Sequence, residues 1–157
     1  MKVVVDASPL IALARIERLE LLREMFGGIV VPSAVWREVA AAGLDKAGAG
    51  QVATAEWISR QDVADQSAVE HLQRDLGAGE AEAIVLAREL QADLLIMDEA
   101  LGRGIARSSG LPTVGLVGVL IEARKRSLLP EAGSIAEALH RKAGFWLSAD
   151  LRRLVAG

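Results

Sequence analysis

The chain has 157 residues, of which 52% are hydrophobic, and this length and composition fit one domain, residues 1–157, with a single buried core. The absence of cysteine excludes disulfides, thiolate zinc sites and cysteine nucleophiles, and the formal net charge of −3 excludes a generally basic surface for phosphate. No apolar run could span a membrane and the first residues do not resemble a signal peptide, so we expect a cytoplasmic protein without a membrane partner.

The N-terminal segment is predicted to be a strand that turns into a helix at an acidic residue. Val3-Val4-Val5 is a β-branched run too short for a helix, and it stops at Asp6. Ser8 is predicted to cap the following helix, with Pro9 at the first helical position. Two apolar stripes at helical spacing then predict two helices, and the second of them ends at Gly27-Gly28.

The middle of the chain continues the alternation of strand and helix. Residues 29–31 form the second predicted strand, and Pro32-Ser33 opens a helix over residues 34–42. Residues 44–54 are small and glycine-rich, typical of a loop or weak helix. Residues 57–59 are interpreted as a short edge strand.

The second half repeats the same alternation. Leu94 to Met97 is a continuous apolar run, typical of a central parallel strand buried on both faces. The other predicted elements are a strand at 112–114 and helices at 68–76, 80–90, 100–108, 116–126, 134–142 and 149–155, with an apolar cluster at 145–147. Strands and helices that alternate with short loops predict an α/β fold, a three-layer α/β/α sandwich around a central parallel sheet of four to five strands.

Four acidic residues occupy informative positions in this pattern. In an open parallel sheet, ligands bind beyond the carboxyl ends of the strands at the topological switch point. Asp6 and Asp98 each follow an apolar strand directly, whereas Glu38 and Glu80 lie near the starts of predicted helices. We therefore expect the four carboxylates to converge.

Converging carboxylates repel one another and raise one another's pKa, and a hard divalent cation offsets this cost. Mg²⁺ or Mn²⁺ prefers oxygen ligands and is held through a few carboxylates together with phosphate oxygens. Such an ion lowers the pKa of bound water and stabilises charge on phosphorus, so phosphodiester hydrolysis needs no histidine. This pattern indicates a metal-dependent phosphodiesterase.

Each acid also has an ordinary structural interpretation. Asp6 could be a turn residue, Glu80 could complement the helix dipole, and Glu38 could lie on a solvated face. Asp98 and Glu99 could be a helix-capping pair. Position at a strand end supports Asp6 and Asp98 independently, whereas the other two acids depend on the joint pattern.

Four segments, in this order, resemble the PIN-domain family, and more narrowly its DUF3368 subgroup, relatives of VapC-type toxins. The segments are Val3–Leu13, Val31–Val39, Gly77–Ile84 and Leu94–Glu99. The resemblance covers nearly the whole chain. It implies a PIN-like fold and a Mg²⁺- or Mn²⁺-dependent endoribonuclease that leaves a 5′-phosphate and a 3′-hydroxyl, as the toxin of a toxin–antitoxin pair. An RNA substrate, a small antitoxin partner and a homodimer follow from the same resemblance.

The resemblance also implies specific roles for individual residues. It places the metal ligands at Asp6, Glu38, Glu80 and Asp98, with Ser8 as a small polar neighbour. Two residues apart on a helix diverge by roughly 200°, so Glu80 and Glu82 cannot face one metal equally. We prefer Glu80 and keep Glu82 in reserve, with Glu99 as the substitute for Asp98.

Basic residues and rival functions complete the sequence-based hypotheses. Arg103 and Arg107 lie four apart on the helix after Asp98 and are the candidate contacts for RNA phosphate. A phosphatase with a nucleophilic strand-end aspartate is one rival, although a second acid very near Asp6 is missing. A catalytically silent PIN-like module that binds RNA or protein is the other, and the complete acidic set argues against it.

Overall fold

The computed structural model describes residues 1–42, 51–52, 54–129 and 132–143. Its strands are β1 (Val3–Val5), β2 (Ile29–Pro32), β3 (Ile58–Gln61), β4 (Leu94–Ile96) and β5 (Thr113–Val114). The helices in the first half are α1 (Ala7–Arg15), α2 (Glu20–Phe26), α3 (Ser33–Ala41) and α4 (Gln66–Leu72). Those in the second half are α5 (Ala78–Leu90), α6 (Ala100–Ser108), α7 (Leu116–Lys125) and α8 (Ala132–Ala143).

The five strands form one parallel sheet in the order β3-β2-β1-β4-β5. From β1 the chain moves outward through β2 to β3, and it then returns to the other side of β1 to form β4. The direction of winding therefore reverses between β1 and β4, where Val5 is in register with Ile96. This is the switch point at which ligands bind in open parallel sheets.

Helices cover both faces of the sheet. Val3 and Val5 point to a core built with α1, α2, α3, α7 and α8, whereas Val4 points to a second core built with α4, α5 and α6. Alternate residues of a strand face opposite sides, and β1 is apolar at every position because both sides are buried. The predicted three-layer α/β/α sandwich around a parallel sheet of four to five strands is confirmed, with five strands.

The start of α1 differs from the prediction. The helix begins at Ala7 with Asp6 in extended conformation as its N-cap, so the prediction that Ser8 caps the helix is wrong. Pro9 is the third helical residue, which is tolerated because the first four N–H groups of a helix have no intrahelical partner. Ser8 lies exposed in the first turn.

Other boundaries shift by a few residues. The edge strand runs over Ile58–Gln61 instead of 57–59, and α4 begins earlier than expected because Asp65 caps it through the N–H of Ala68. The predicted features at 145–147 and 149–155 lie outside the described residues, as does most of 44–54. Within the described chain, no helix combines the length and apolarity that crossing a membrane requires.

Candidate functional site

Asp6 lies at the switch point, immediately after β1. Its backbone N–H donates to the carbonyl of Ile96 in β4 at 2.9 Å, and only 4% of the residue is exposed. Burial raises the pKa of the Asp6 carboxyl to about 7, opposed by a backbone hydrogen bond from Ala7. The charges of three other acids also raise this pKa, and they are, in decreasing order of effect, Glu80, Glu38 and Asp98. The four predicted acids therefore lie within electrostatic range of one position.

Asp98 follows the end of β4 and uses its two carboxylate oxygens differently. Oδ1 accepts a hydrogen bond of 2.7 Å from the N–H of Leu116, the first residue of α7. Oδ2 is buried and has no hydrogen-bond partner among the described residues. Burial raises the pKa of Asp98, while the Leu116 N–H and the Arg103 charge lower it. A buried carboxylate oxygen without a partner is costly, and a cation would satisfy it.

Glu38 turns its carboxylate toward the start of α5, where the backbone N–H of Gly79 hydrogen-bonds to it. Desolvation raises the pKa of Glu38, and the charges of Glu80 and Glu82 raise it further. A Cβ atom at position 79 would collide with Oε1 of Glu38. Gly79 therefore provides the space in which this carboxylate lies.

Glu80 has a structural contact as well as a place in the acidic group. Its Oε2 accepts a hydrogen bond of 2.8 Å from the N–H of Gly77, the N-cap of α5. Its charge nevertheless raises the pKa of both Asp6 and Glu38, so Glu80 lies within electrostatic range of both. The contact with Gly77 supports the helix-capping interpretation of Glu80, and its charge effect on Asp6 and Glu38 agrees with the acidic-site interpretation.

The carboxylates at the site fit a cation that keeps most of its bound water better than a cation whose ligands all come from the protein. Among the described residues, no three His, Cys, Asp or Glu side chains are arranged closely enough to hold a metal ion. Mg²⁺ keeps several waters and needs only one or two carboxylates from the protein. The unpaired Oδ2 of Asp98, together with the nearly fully buried Asp6, meets that smaller requirement.

The reserve candidates cap helices. Glu82 accepts a hydrogen bond from the N–H of Ala34 at the start of α3, and Glu99 accepts from the N–H groups of Leu101 and Gly102 at the start of α6. These bonds satisfy helix N-terminal donors that otherwise lack partners. Both carboxylates are therefore committed to backbone in this structure.

Basic residues near the site fall into two groups. Arg103 folds back toward the segment that follows β4, where its Nη1 donates to the carbonyl of Asp98 at 2.9 Å, whereas Arg107 is exposed on α6. Arg37, which the sequence analysis overlooked, directly precedes Glu38 and has a side chain that is 64% exposed. Its position next to a candidate acid was the available signal.

The N–H of Leu116, which holds Asp98, was also overlooked. The available signal was Gly115 before a predicted helix, since a Cβ at that position would come too close to Oδ1 of Asp98.

Two comparisons with known proteins gave matches, one to a family profile and one to a solved structure. The profile of the family DUF3368, described as a PIN domain, matches residues 2–156. A solved PilT N-terminus domain protein from the hyperthermophilic archaeon Sulfolobus solfataricus P2 superposes with a TM-score of 0.60 at 19% identity, covering 78% of this chain and 93% of that one. At this identity the likeness shows the fold alone. No curated protein matches the chain.

PIN domains are commonly nucleases and typically use a divalent metal ion. The matched region includes all four converging acids and both faces of the sheet. The chain therefore belongs to the DUF3368 family of PIN domains.

Proposed function

We propose that this protein is a Mg²⁺- or Mn²⁺-dependent endoribonuclease that hydrolyses RNA phosphodiester bonds. The observation that supports this function best is the buried, unpaired Oδ2 of Asp98 at the switch point, within electrostatic range of Asp6. Like-charged carboxylates brought together under partial desolvation are stable only when a cation or protons neutralise them. Their placement at strand ends is that of a ligand site.

The residues that would hold the ion are Asp6 and Asp98 from the strand ends, with Glu38 and Glu80 from the helices. A bound divalent ion supplies a water of lowered pKa and stabilises the charge that develops on phosphorus during in-line displacement. Asp6, whose pKa is about 7, exists in comparable amounts as acid and carboxylate at neutral pH. Ionised Asp6 is the form that binds a cation.

Each of these four acids accepts a hydrogen bond from a backbone N–H, which for Asp6 is that of Ala7. Asp98 is held by Leu116, Glu38 by Gly79 and Glu80 by Gly77. A carboxylate fixed by backbone loses little side-chain freedom when it binds a ligand, which favours a preorganised site.

RNA phosphate would be bound by arginines on α3, which carries Glu38, and on α6, which follows Asp98. Arg107 on α6 and Arg37 on α3 are candidates for phosphate contacts, and Arg103 contributes from its position against the segment that follows β4. A few arginine side chains are enough to contact RNA phosphates, even though the whole chain carries a net charge of −3.

The decisive experiment incubates end-labelled RNA with purified protein and Mg²⁺ or Mn²⁺, and compares wild type with Asp6→Asn and Asp98→Asn. Asp75→Asn, a change at an exposed aspartate outside the site, is the matched control. We expect internal cleavage that leaves 5′-phosphate ends, a loss of at least about 100-fold in the two site variants, and wild-type activity in the control. Equal cleavage by all four proteins would refute the assignment, and RNA binding without cleavage would favour the silent module.

We further propose that the protein acts as a toxin that a small antitoxin inhibits, and that it forms a homodimer. Both parts depend on the likeness to VapC-type toxins. Induced expression in a bacterial host should arrest growth with the wild-type chain and not with Asp98→Asn. Light scattering on the purified protein gives the oligomeric state, and a monomer would contradict the dimer.

A further inference from the structure

Helices α3 and α5 cap each other's N-termini with glutamates. Glu82 of α5 accepts a hydrogen bond of 3.1 Å from the N–H of Ala34, the second residue of α3. In the opposite direction, Glu38 of α3 accepts from the N–H of Gly79, the second residue of α5. The N-terminus of α3 is therefore capped from α5, and that of α5 receives a contact from α3 in addition to its own Glu80; we call this pair of contacts the reciprocal clasp.

The contact made by Glu82 is needed because α3 has no local cap. Its N-cap is Pro32, which makes no side-chain cap bond, and its first turn contains no acidic residue. Glu82 supplies the missing acceptor from a side chain that is only 11% exposed. Its other oxygen lies 3.8 Å from Nη2 of Arg37, an ion pair whose basic partner is mostly in solvent. Such exposed pairs contribute little, so the bond to Ala34 is the main contact.

We propose that Glu82 is a positioning residue: through the reciprocal clasp it holds α3 against α5 and so places Glu38 beside Glu80. This proposal rests on the proposed nuclease function for its effect on activity. Capping the α3 N-terminus requires a hydrogen-bond acceptor but does not require a negative charge, whereas binding a metal ion requires the charge. Glutamine retains the acceptor and lacks the charge, so it separates the two roles.

The test compares Glu82→Gln and Glu82→Ala in the full chain by NMR hydrogen exchange at the Ala34 amide, Mn²⁺ binding and RNA cleavage. In Glu82→Ala we expect exchange at Ala34 to become about tenfold faster. We expect kcat to fall about 10- to 100-fold with KM little changed, because Glu38 is displaced. Glu82→Gln should restore exchange, Mn²⁺ binding and kcat to within about threefold of wild type.

Glu89→Ala is the matched control, because Glu89 lies on the same helix and caps the N–H groups of Ala64 and Asp65 away from the acids. It should speed exchange at those amides and leave cleavage within about twofold of wild type. If Glu82→Gln loses Mn²⁺ binding and cleavage as fully as Asp98→Asn while Ala34 stays protected, Glu82 is a ligand and the proposal is overturned. Unchanged exchange at Ala34 in Glu82→Ala overturns it as well. If the wild type cleaves no RNA, the nuclease proposal fails, and exchange at Ala34 still decides whether the clasp exists.

Discussion

Replacing Asp6 with asparagine should change how the stability of the metal-free protein depends on pH. The pKa of Asp6 rises from an ordinary 3.8 to about 7 in the folded state, mainly through burial. A group with a raised folded pKa stabilises the fold fully below the unfolded pKa, and that contribution disappears as the pH rises through the folded pKa. Wild type should therefore lose stability between about pH 4 and pH 7, and Asp6→Asn should lack this loss.

The size of the effect follows from the two pKa values. One pKa unit corresponds to about 1.4 kcal/mol, so the full difference is on the order of 4 kcal/mol. About 1.5 kcal/mol of this is lost by pH 5, and roughly 2.5 kcal/mol more is lost between pH 5 and pH 8. Because only 4% of Asp6 is exposed, solvent screening reduces the figure little.

Urea unfolding at pH 5 and pH 8 in the presence of EDTA measures this difference. The free energy of unfolding of Asp6→Asn relative to wild type should increase by about 2–3 kcal/mol between the two pH values, whereas Asp75→Asn should follow wild type. Millimolar Mn²⁺ at pH 8 should raise the stability of wild type and have no such effect on Asp6→Asn. Parallel pH profiles for wild type and Asp6→Asn would show that burial of this carboxylate has no energetic consequence.

Three further substitutions test other contacts. Gly79→Ala places a Cβ in the space of the Glu38 carboxylate, so RNA cleavage should fall about tenfold or more while the circular dichroism spectrum is unchanged. Retention of full activity would contradict the role of Gly79. Arg107→Ala should raise KM with kcat unchanged and reduce the salt dependence of RNA binding by about one unit of slope, and an unaltered slope would exclude a phosphate contact. Glu99→Ala removes the α6 cap and should lower the free energy of unfolding by about 1 kcal/mol without affecting cleavage at low temperature. Loss of activity in the folded variant would indicate that Glu99 is a metal ligand.

The fold was largely predictable because its signals are local. The β-branched run at Val3–Val5 and the apolar run ending at Met97 are buried on both faces, which leaves a continuous apolar pattern in the sequence. The end of such a run places the next residue at the edge of the sheet, which is why Asp6 and Asp98 were identified. The prediction that Ser8 caps α1 was wrong because the helix begins at Ala7, before the Ser-Pro pair, with Asp6 at the N-cap position and without a side-chain cap bond. Local propensity does not separate neighbouring residues that favour this position.

The contacts that orient the site were less predictable because they join distant residues. Glu82 meets Ala34 across 48 positions, and Asp98 meets Leu116 across 18. Helical periodicity separates Glu80 from Glu82 in angle, yet it does not show that another helix starts opposite Glu82. The sequence therefore identified which acids were candidates, while the backbone groups that hold each one became visible only from tertiary packing.

The two oxygens of Asp98 have separate tasks, and this has an evolutionary consequence. Oδ1 supports the start of α7, while Oδ2 is free for ligand chemistry. An asparagine at this position would keep the acceptor for Leu116 and abolish the negative charge, so the proposed ion binding and the support of α7 depend on different atoms of one side chain. One conservative change would therefore remove the charge on which the proposed nuclease activity depends, and a lineage carrying it would still inherit the scaffold that the Leu116 bond supports.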